Sequence, residues 1–268
     1  MAIFANHAHL FPAYIRPDGA LDALYRLMEA CDIEKVVCFA PFRDMVPADH
    51  IHPTEWLARE IAGKPEFVGY AALNPTDADA LDWVRRLPEL GFRGIKLHPA
   101  YDRWDLHDPR AFDLYQLAGE LGLVLDFHTG VHGHFLAQYH PSKFDEVAQC
   151  RNDLRIVLEH MGGRTQYADA LSVMANTNVY SGGSRIYAGI ASVLDRKLQT
   201  LWYQGPERVQ EMAELFGADK LIYGLDFPWN GVESVKQDLA IIADMDLGEG
   251  GQEGLLGGNL RRLLDGER

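Results

Sequence analysis

The sequence opens with the stretch Ile3–Leu10, IFANHAHL, in which an apolar run leads into two histidines one residue apart. In an extended strand, residues i and i+2 point to the same face, so a strand here would present the imidazoles of His7 and His9 to one point. Two imidazoles that converge in this way suit a divalent metal ion. Chance or ordinary hydrogen bonding would explain a single pair equally well, so the interpretation depends on the rest of the chain.

Seven more apolar runs of strand length follow, and segments with the apolar spacing of helices separate most of them. The eight predicted strands cover residues 3–10, 35–41, 67–75, 94–99, 123–130, 155–163, 178–183 and 220–228. The predicted helices cover residues 20–30, 54–61, 78–87, 111–121, 144–150, 207–216 and 259–264.

This alternation indicates the fold class. Near-continuous apolar strands separated by helices are typical of a parallel sheet covered by helices. Eight such units in about 250 residues are typical of the (β/α)8 barrel. An open doubly wound sheet is the competing fold, but its glycine-rich GxGxxG turn is absent after the first strand. We therefore predict an α/β protein, a (β/α)8 TIM barrel that forms a single domain over residues 1–268.

The composition limits the classes of partner. Hydrophobic residues make up 47% of the 268 residues, enough for one large core, and no apolar run approaches the roughly 18 residues of a membrane span. The net charge of −14, without any cluster of lysine and arginine, argues against nucleic acid. The three cysteines form no CxxC pair, and no signal-like segment is visible. We expect a soluble, cytoplasmic protein that acts on a small molecule and binds neither nucleic acid nor membrane.

Chemically active side chains stand at the ends of the predicted strands, where barrels of this kind place their active sites. They are His7, His9, Lys96, His98, His128, His160 and Asp226. Each one alone could serve a structural role at the barrel rim, but a single shared site accounts for all of them. Arg185 follows the predicted seventh strand, where an anionic substrate would meet it, although a solvated surface arginine is the commoner situation.

Six motifs appear in chain order: NHAHLFP at 6–12, GIKLHP at 94–99, FHTG at 127–130, EHMGG at 159–163, YGLDFP at 223–228 and LGGNLRRLL at 256–264. Together they resemble the amidohydrolase superfamily. The most similar branch is the amidohydrolase-related group that includes aminocarboxymuconate-semialdehyde decarboxylase, resorcylate-type decarboxylases and pyrone-dicarboxylate lactonase. The resemblance implies a (β/α)8 barrel with one divalent metal ion, commonly zinc, although manganese and iron also suit such ligands. Carried over, the implied ligands are His7, His9, His128 and Asp226.

Two positions depart from the pattern of the superfamily. The usual Asp-x-His-x-His has Ala5 in place of its aspartate, and the Ser or Thr that usually precedes the strand 8 aspartate is Leu225. Neither change removes a ligand, but both predict weaker metal binding. Lys96 occupies the strand where binuclear members carry a carbamylated lysine, yet its KLHP context resembles the mononuclear branch. We therefore predict no second metal.

These residues predict hydrolysis. Imidazole and carboxylate ligands leave a zinc-like ion room for a water whose pKa falls towards about 7, and His160 or Asp226 would move its proton. The expected substrate is a small ester, lactone or amide, carboxylated and held by His98, Lys96 and Arg185.

Two other functions remain open at this point. The first is non-oxidative decarboxylation of an aromatic or muconate-type acid with the same metal, and the second is a catalytically silent barrel. A homodimer is a further expectation, with Trp202 and Tyr203 either at its interface or in the core.

Overall fold

Eight parallel strands form one closed barrel in the computed structural model, which describes residues 2–47, 49–181, 185–197 and 200–266. The strands pair in chain order, and the eighth pairs with the first. They are β1 (Ile3–His9), β2 (Ile33–Phe39), β3 (Phe67–Ala72), β4 (Gly94–Leu97), β5 (Val124–His128), β6 (Arg155–Glu159), β7 (Ile186–Ile190) and β8 (Leu221–Phe227). The predicted (β/α)8 barrel is therefore confirmed.

Helices connect the strands and cover the outside of the barrel. The α-helices are α1 (Leu21–Ala30), α2 (Pro53–Glu60), α3 (Ala80–Arg86), α4 (Pro99–Asp102), α5 (Pro109–Glu120), α6 (Leu136–Tyr139), α7 (Phe144–Gln149), α8 (Gly163–Ser181), α9 (Pro206–Phe216), α10 (Val232–Ala243), α11 (Gly251–Glu253) and α12 (Asn259–Asp265). Short 3-10 turns cover Pro17–Gly19, Arg43–Met45, Pro141–Lys143, His160–Gly162 and Ala218–Lys220, and a π-helical turn covers Gly254–Gly258. Among the described helices, none combines the length and apolarity needed to cross a membrane.

The predicted seventh strand is wrong. Residues 178–181 form the end of α8, and residues 182–183 lie outside the described residues. Val179 is 83% exposed, which is incompatible with a buried barrel strand. The run Ile186–Ile190 takes this place because it supplies the buried apolar side chains that pair with β6 and β8. Arg185 consequently precedes β7 instead of following it.

One end of the barrel is closed by its last helix. Leu260, Leu263 and Leu264 of α12 join a buried cluster inside the barrel with Phe4 and six other strand residues. The six are Val37, Phe39, Tyr70, Val124, Val157 and Ile222. The guanidinium of Arg155, at the start of β6, donates from Nη1 to the Leu263 carbonyl at 2.6 Å. The apolar plug therefore fills the N-terminal end of the strands, which leaves the opposite end for polar side chains.

Truncating this plug should destabilise the protein. Leu263 is 1% exposed, so we expect Leu263→Ala to lower the free energy of unfolding by about 2–5 kcal/mol through lost burial and a cavity. Leu215 of α9 is 54% exposed and provides the control, because Leu215→Ala should change it by less than about 1 kcal/mol. Urea unfolding followed by circular dichroism measures both variants. Equal effects of the two substitutions would contradict the closing role of α12.

Candidate active site

A cavity of about 480 Å³ opens where the strands end. Its lining residues come from the ends of β1, β4, β5, β6 and β8 and from the loops that follow the strands. They are His7, His9, Phe42, Met45, Lys96, His98, Tyr101, His128, His132, His160, Ser192, Trp202, Asp226, Trp229 and Asn230. The structure thus brings together every predicted site residue except Arg185.

Arg185 stands at the other end of the barrel. It precedes β7 and lies against Ala148, Asn152 and Ile186, away from the cavity. The expectation that it meets an anionic substrate is therefore wrong, because it depended on the misplaced strand. Trp202, expected in the core or at an interface, instead lines the cavity.

Backbone strain concentrates around the cavity. His7, His160, Ser192 and Asp226 all have positive φ angles, of 64°, 62°, 57° and 52°. Such conformations are unfavourable for residues with a Cβ, and they persist only where the surrounding structure holds them in place. At His7 the strand pairing also shifts register, between Ala5 and Ala8. His7 and His9 therefore do not share a face of a regular strand, as the sequence predicted, but meet because of a bulge.

The bulge brings two imidazole nitrogens to a spacing that suits a metal ion. Nε2 of His7 lies 3.2 Å from Nε2 of His9 and 3.4 Å from Oδ1 of Asp226. Ligand atoms about 2.0–2.1 Å from a tetrahedral ion are about 3.3 Å apart. Ligand atoms of His7, His160 and Asp226 also lie within 4.8 Å of one another. The donor set and its spacing fit a divalent ion such as zinc.

His128 occupies a neighbouring position. Its ring stacks on His98 with centroids 3.8 Å apart, and it groups with His98 and His132 as a possible ligand cluster. Its Nε2 is buried and has no hydrogen-bond partner, which leaves that nitrogen available as a ligand. His128 is therefore near the centre formed by His7 and Asp226, but it belongs to a different group of ligand atoms.

Hydrogen bonds assign the protons of two other histidines. Nδ1 of His160 lies 2.7 Å from the Ala191 carbonyl, so this nitrogen carries the proton and Nε2 stays available for proton transfer. Nδ1 of His98 instead accepts the backbone N–H of Tyr101 at 3.2 Å. Neutral His98 therefore carries its proton on Nε2, and it is a hydrogen-bond donor towards the cavity and not a metal ligand.

A buried polar network lies beneath the cavity. Lys96 Nζ donates to Asp126 Oδ1 at 2.9 Å, and Asn6 Nδ2 donates to Asp126 Oδ2 at 2.8 Å and to Glu159 Oε1 at 2.6 Å. The second Glu159 oxygen lies 3.0 Å from Nδ1 of His7. Asn6, Lys96, Asp126 and Glu159 are all completely buried. This chain of contacts connects four strands of the barrel directly to His7.

The charge of this network favours a bound cation. Burial raises the pKa of Asp126 to about 7, against the opposing effect of Lys96, and burial also raises the pKa of Glu159. For Asp226, burial acts to raise the pKa, but His7, His160 and a Ser192 hydrogen bond together lower it. Lys96 alone does not offset the burial of Asp126 and Glu159, which is why both pKa values are raised. A divalent cation nearby would favour the ionised carboxylates in a region from which water is excluded.

Two residues beyond the predicted set hold Asp226. Ser192 donates its hydroxyl to Asp226 Oδ2, and Asn230 Nδ2 donates to Ser192 Oγ and to the Leu225 carbonyl, both at 2.9 Å. This arrangement leaves Oδ1 of Asp226 directed at His7. The hydroxyl therefore comes from the loop after β7, while Leu225 is buried in the core.

Sequence reasoning missed several functional contributors. They are Asn6, Asp126, Glu159, Ser192, Trp202 and Asn230. For Asp126 and Glu159 a signal was present, because a carboxylate inside an apolar strand must find a buried partner. Ser192 and Asn230 lie in loops, where the sequence carries no comparable signal.

The fold and this cavity together define a class of protein. It is a (β/α)8 barrel enzyme with histidines and carboxylates gathered for metal binding at the C-terminal ends of the strands. The amidohydrolase family model matches residues 12–266, and the chain belongs to this family. Members of this family are usually metal-dependent. Comparison with curated proteins found no match to the sequence.

Solved structures with low sequence identity have the same fold. An uncharacterized TIM-barrel protein from Bordetella bronchiseptica is 18% identical, with a TM-score of 0.80 over 100% of this chain and 99% of the other. 5-Carboxyvanillate decarboxylase from Sphingomonas paucimobilis is 14% identical, with a TM-score of 0.72 over 98% and 99%. A probable 2-pyrone-4,6-dicarboxylic acid hydrolase from Acinetobacter baumannii, with citric acid bound, is 16% identical, with a TM-score of 0.68 over 99% and 100%. At these identities the likeness establishes the fold alone.

Metal content tests the candidate site. Protein purified without added metal should contain about one divalent ion per chain, measured by elemental mass spectrometry. His7→Ala should lose it, because the substitution removes the central nitrogen of the cluster. His128→Ala decides whether His128 is a ligand. His140→Ala is the matched control, since His140 lies outside the cavity lining, and it should keep the metal. Full metal content in His7→Ala would contradict the site.

Proposed function

We propose that the protein is a metal-dependent hydrolase that cleaves an ester, lactone or amide bond of a small substrate. The observation that supports this best is the convergence of the His7 and His9 nitrogens and of Asp226 Oδ1 next to the ring of His160. His7, His9 and Asp226 would hold the ion, and the unpaired Nε2 of His128 in the neighbouring group is the candidate for a fourth ligand. When bound, such an ion supplies Lewis acidity that polarises a carbonyl and lowers the pKa of water.

Proton transfer falls to two residues in this proposal. Asp226 accepts a proton on Oδ2 in place of the Ser192 hydrogen bond, because Oδ1 faces the position of the ion beside His7. His160 accepts or donates through Nε2, because the Ala191 carbonyl holds the proton on Nδ1. One of them takes the proton from the attacking water and returns it to the oxygen or nitrogen that leaves when the bond breaks.

The walls of the cavity favour a flat, partly apolar substrate. Phe42, Tyr101, Trp202 and Trp229 surround it, and the Trp202 ring lies 5.2 Å from that of His160. Among the described lining residues there is no arginine. The N–H of His98 Nε2 would therefore bind a carboxylate or carbonyl oxygen of the substrate. Lys96 would add its positive charge at the cavity wall, while its ammonium group stays paired with Asp126.

Decarboxylation of an aromatic or muconate-type acid is the second candidate. The aromatic walls favour it, because they would remove water from a carboxylate placed against them. In that reaction the bond between the ring and the carboxylate breaks, carbon dioxide leaves, and Asp226 or His160 protonates the ring carbon. Both reactions need the same proton-transfer residues, and they differ in the product released.

A panel of lactones, esters, amides and aromatic carboxylic acids tests the proposal. The metal-loaded wild type should hydrolyse at least one lactone, ester or amide, and His160→Asn should lower kcat about 10²–10⁴-fold with its metal content unchanged. His140→Ala should keep full activity. Release of carbon dioxide without hydrolysis would favour the second candidate. Absence of turnover in metal-loaded protein across the panel would overturn both reactions and leave a catalytically silent barrel.

A further inference from the structure

We infer that Glu159 is a positioning residue that holds the His7 imidazole in the tautomer and orientation needed for metal binding. The inference rests on the proposed metal-dependent function and assigns a task to a residue outside the cavity lining. Glu159 is the last residue of β6 and is completely buried. It lies next to Nδ1 of His7, whereas His9 and Asp226 lie next to Nε2.

The contact with His7 decides which nitrogen carries the proton. Oε2 of Glu159 lies 3.0 Å from Nδ1 of His7. The angle between the two groups is not that of a hydrogen bond, so the contact acts through charge at short distance. A neutral imidazole has one N–H, and a carboxylate charge beside Nδ1 favours the tautomer with the proton on that nitrogen. The lone pair of Nε2 then points towards His9 Nε2 and Asp226 Oδ1, at 3.2 and 3.4 Å. Without Glu159 the proton could move to Nε2 and block that position.

Glu159 is itself held in place by Asn6. The side-chain amide of Asn6 donates to Glu159 Oε1 at 2.6 Å and to Asp126 Oδ2 at 2.8 Å. The reversed amide would point its oxygen at two carboxylates, so the network specifies its orientation. Lys96 secures Asp126 from the other side at 2.9 Å. The carboxylate that contacts His7 therefore has little freedom to rotate.

A glycine on the neighbouring strand provides the space for this carboxylate. A Cβ at Gly189 of β7 would lie 2.3 Å from Glu159 Oε2 and 2.4 Å from its Cδ. Real Cβ contacts are essentially never this short, so an alanine at 189 would displace the Glu159 carboxylate. Gly189 thus offers a second way to disturb the contact without changing any polar group of the site.

The tautomer of His7 is the direct test. In metal-free protein, ¹⁵N NMR of the histidine rings should place the His7 proton on Nδ1 in the wild type. Glu159→Gln should move an appreciable fraction of it to Nε2, because a neutral amide no longer favours Nδ1–H. An unchanged His7 tautomer in Glu159→Gln would overturn the inference.

Metal affinity is the second readout, measured with Zn²⁺ against a chromophoric chelator. Glu159→Gln and Gly189→Ala should each raise the dissociation constant about 10–100-fold. Gly69→Ala is the matched control, because its Cβ would meet the Phe92 ring at 2.5 Å, a comparable clash away from Glu159. It should leave the affinity unchanged even where it lowers thermal stability. If Glu159→Gln does not fold, Gly189→Ala carries the test.

The two proposals can fail separately. A wild type that binds no Zn²⁺ but shows the expected His7 tautomer shift would overturn the metal-dependent function and leave the positioning by Glu159 intact. A wild type that binds Zn²⁺, with equal affinity in Glu159→Gln and Gly189→Ala, would overturn the positioning and leave the function intact.

Discussion

The amide of Asn6 bridges two carboxylates in the interior of the barrel, and the arrangement of the site depends on this interaction. It joins β1 to Asp126 of β5 and Glu159 of β6, while Lys96 of β4 neutralises part of the charge. Buried carboxylates are tolerated only when hydrogen bonds and opposite charges satisfy them. Each member of this network therefore constrains the others, and the network constrains His7.

The strained backbone around the cavity has a related cause, because several polar side chains must come together in the interior. A regular strand turns consecutive side chains to opposite faces, yet Asn6 and His7 are both buried in the interior, as are Glu159 and His160. Left-handed φ angles at His7 and His160 make this possible. Each such residue costs on the order of 1–3 kcal/mol, which the tight packing of the surrounding barrel must offset. The strain thus lies where side chains have to converge.

The two ends of the barrel have different roles, because one is closed by apolar side chains and the other holds the candidate active site. The leucines of α12 close the N-terminal end with apolar contacts, and the polar residues gather at the other end. There the cavity combines aromatic walls with imidazoles whose burial lowers the pKa values of His7, His9, His98 and His128. Lowered pKa values keep these rings neutral, the state in which histidine binds metal ions.

The sequence by itself determined the barrel and most of the cavity. Strand length, apolar content and helical spacing depend on local residue order, so the sequence predicts the strands and helices. Because barrel sites lie at the C-terminal ends of the strands, the residues at those ends predict the site, namely His7, His98, His128, His160 and Asp226. The prediction failed where local order was ambiguous. The segment at 178–183 has the composition of a strand, but its residues up to 181 end a helix. The same error placed Arg185 at the wrong end of the barrel.

Only the tertiary structure decided how the chosen residues are held. The bulge at His7, the Asn6 bridge between strands far apart in sequence, and the Ser192 hydroxyl on Asp226 depend on which elements become neighbours when the barrel closes. The same closure puts Gly189 against Glu159. These contacts join residues 30 or more positions apart, and periodicity along the chain carries no information about them. Periodicity specifies which face of an element is buried, whereas packing specifies what each buried group touches.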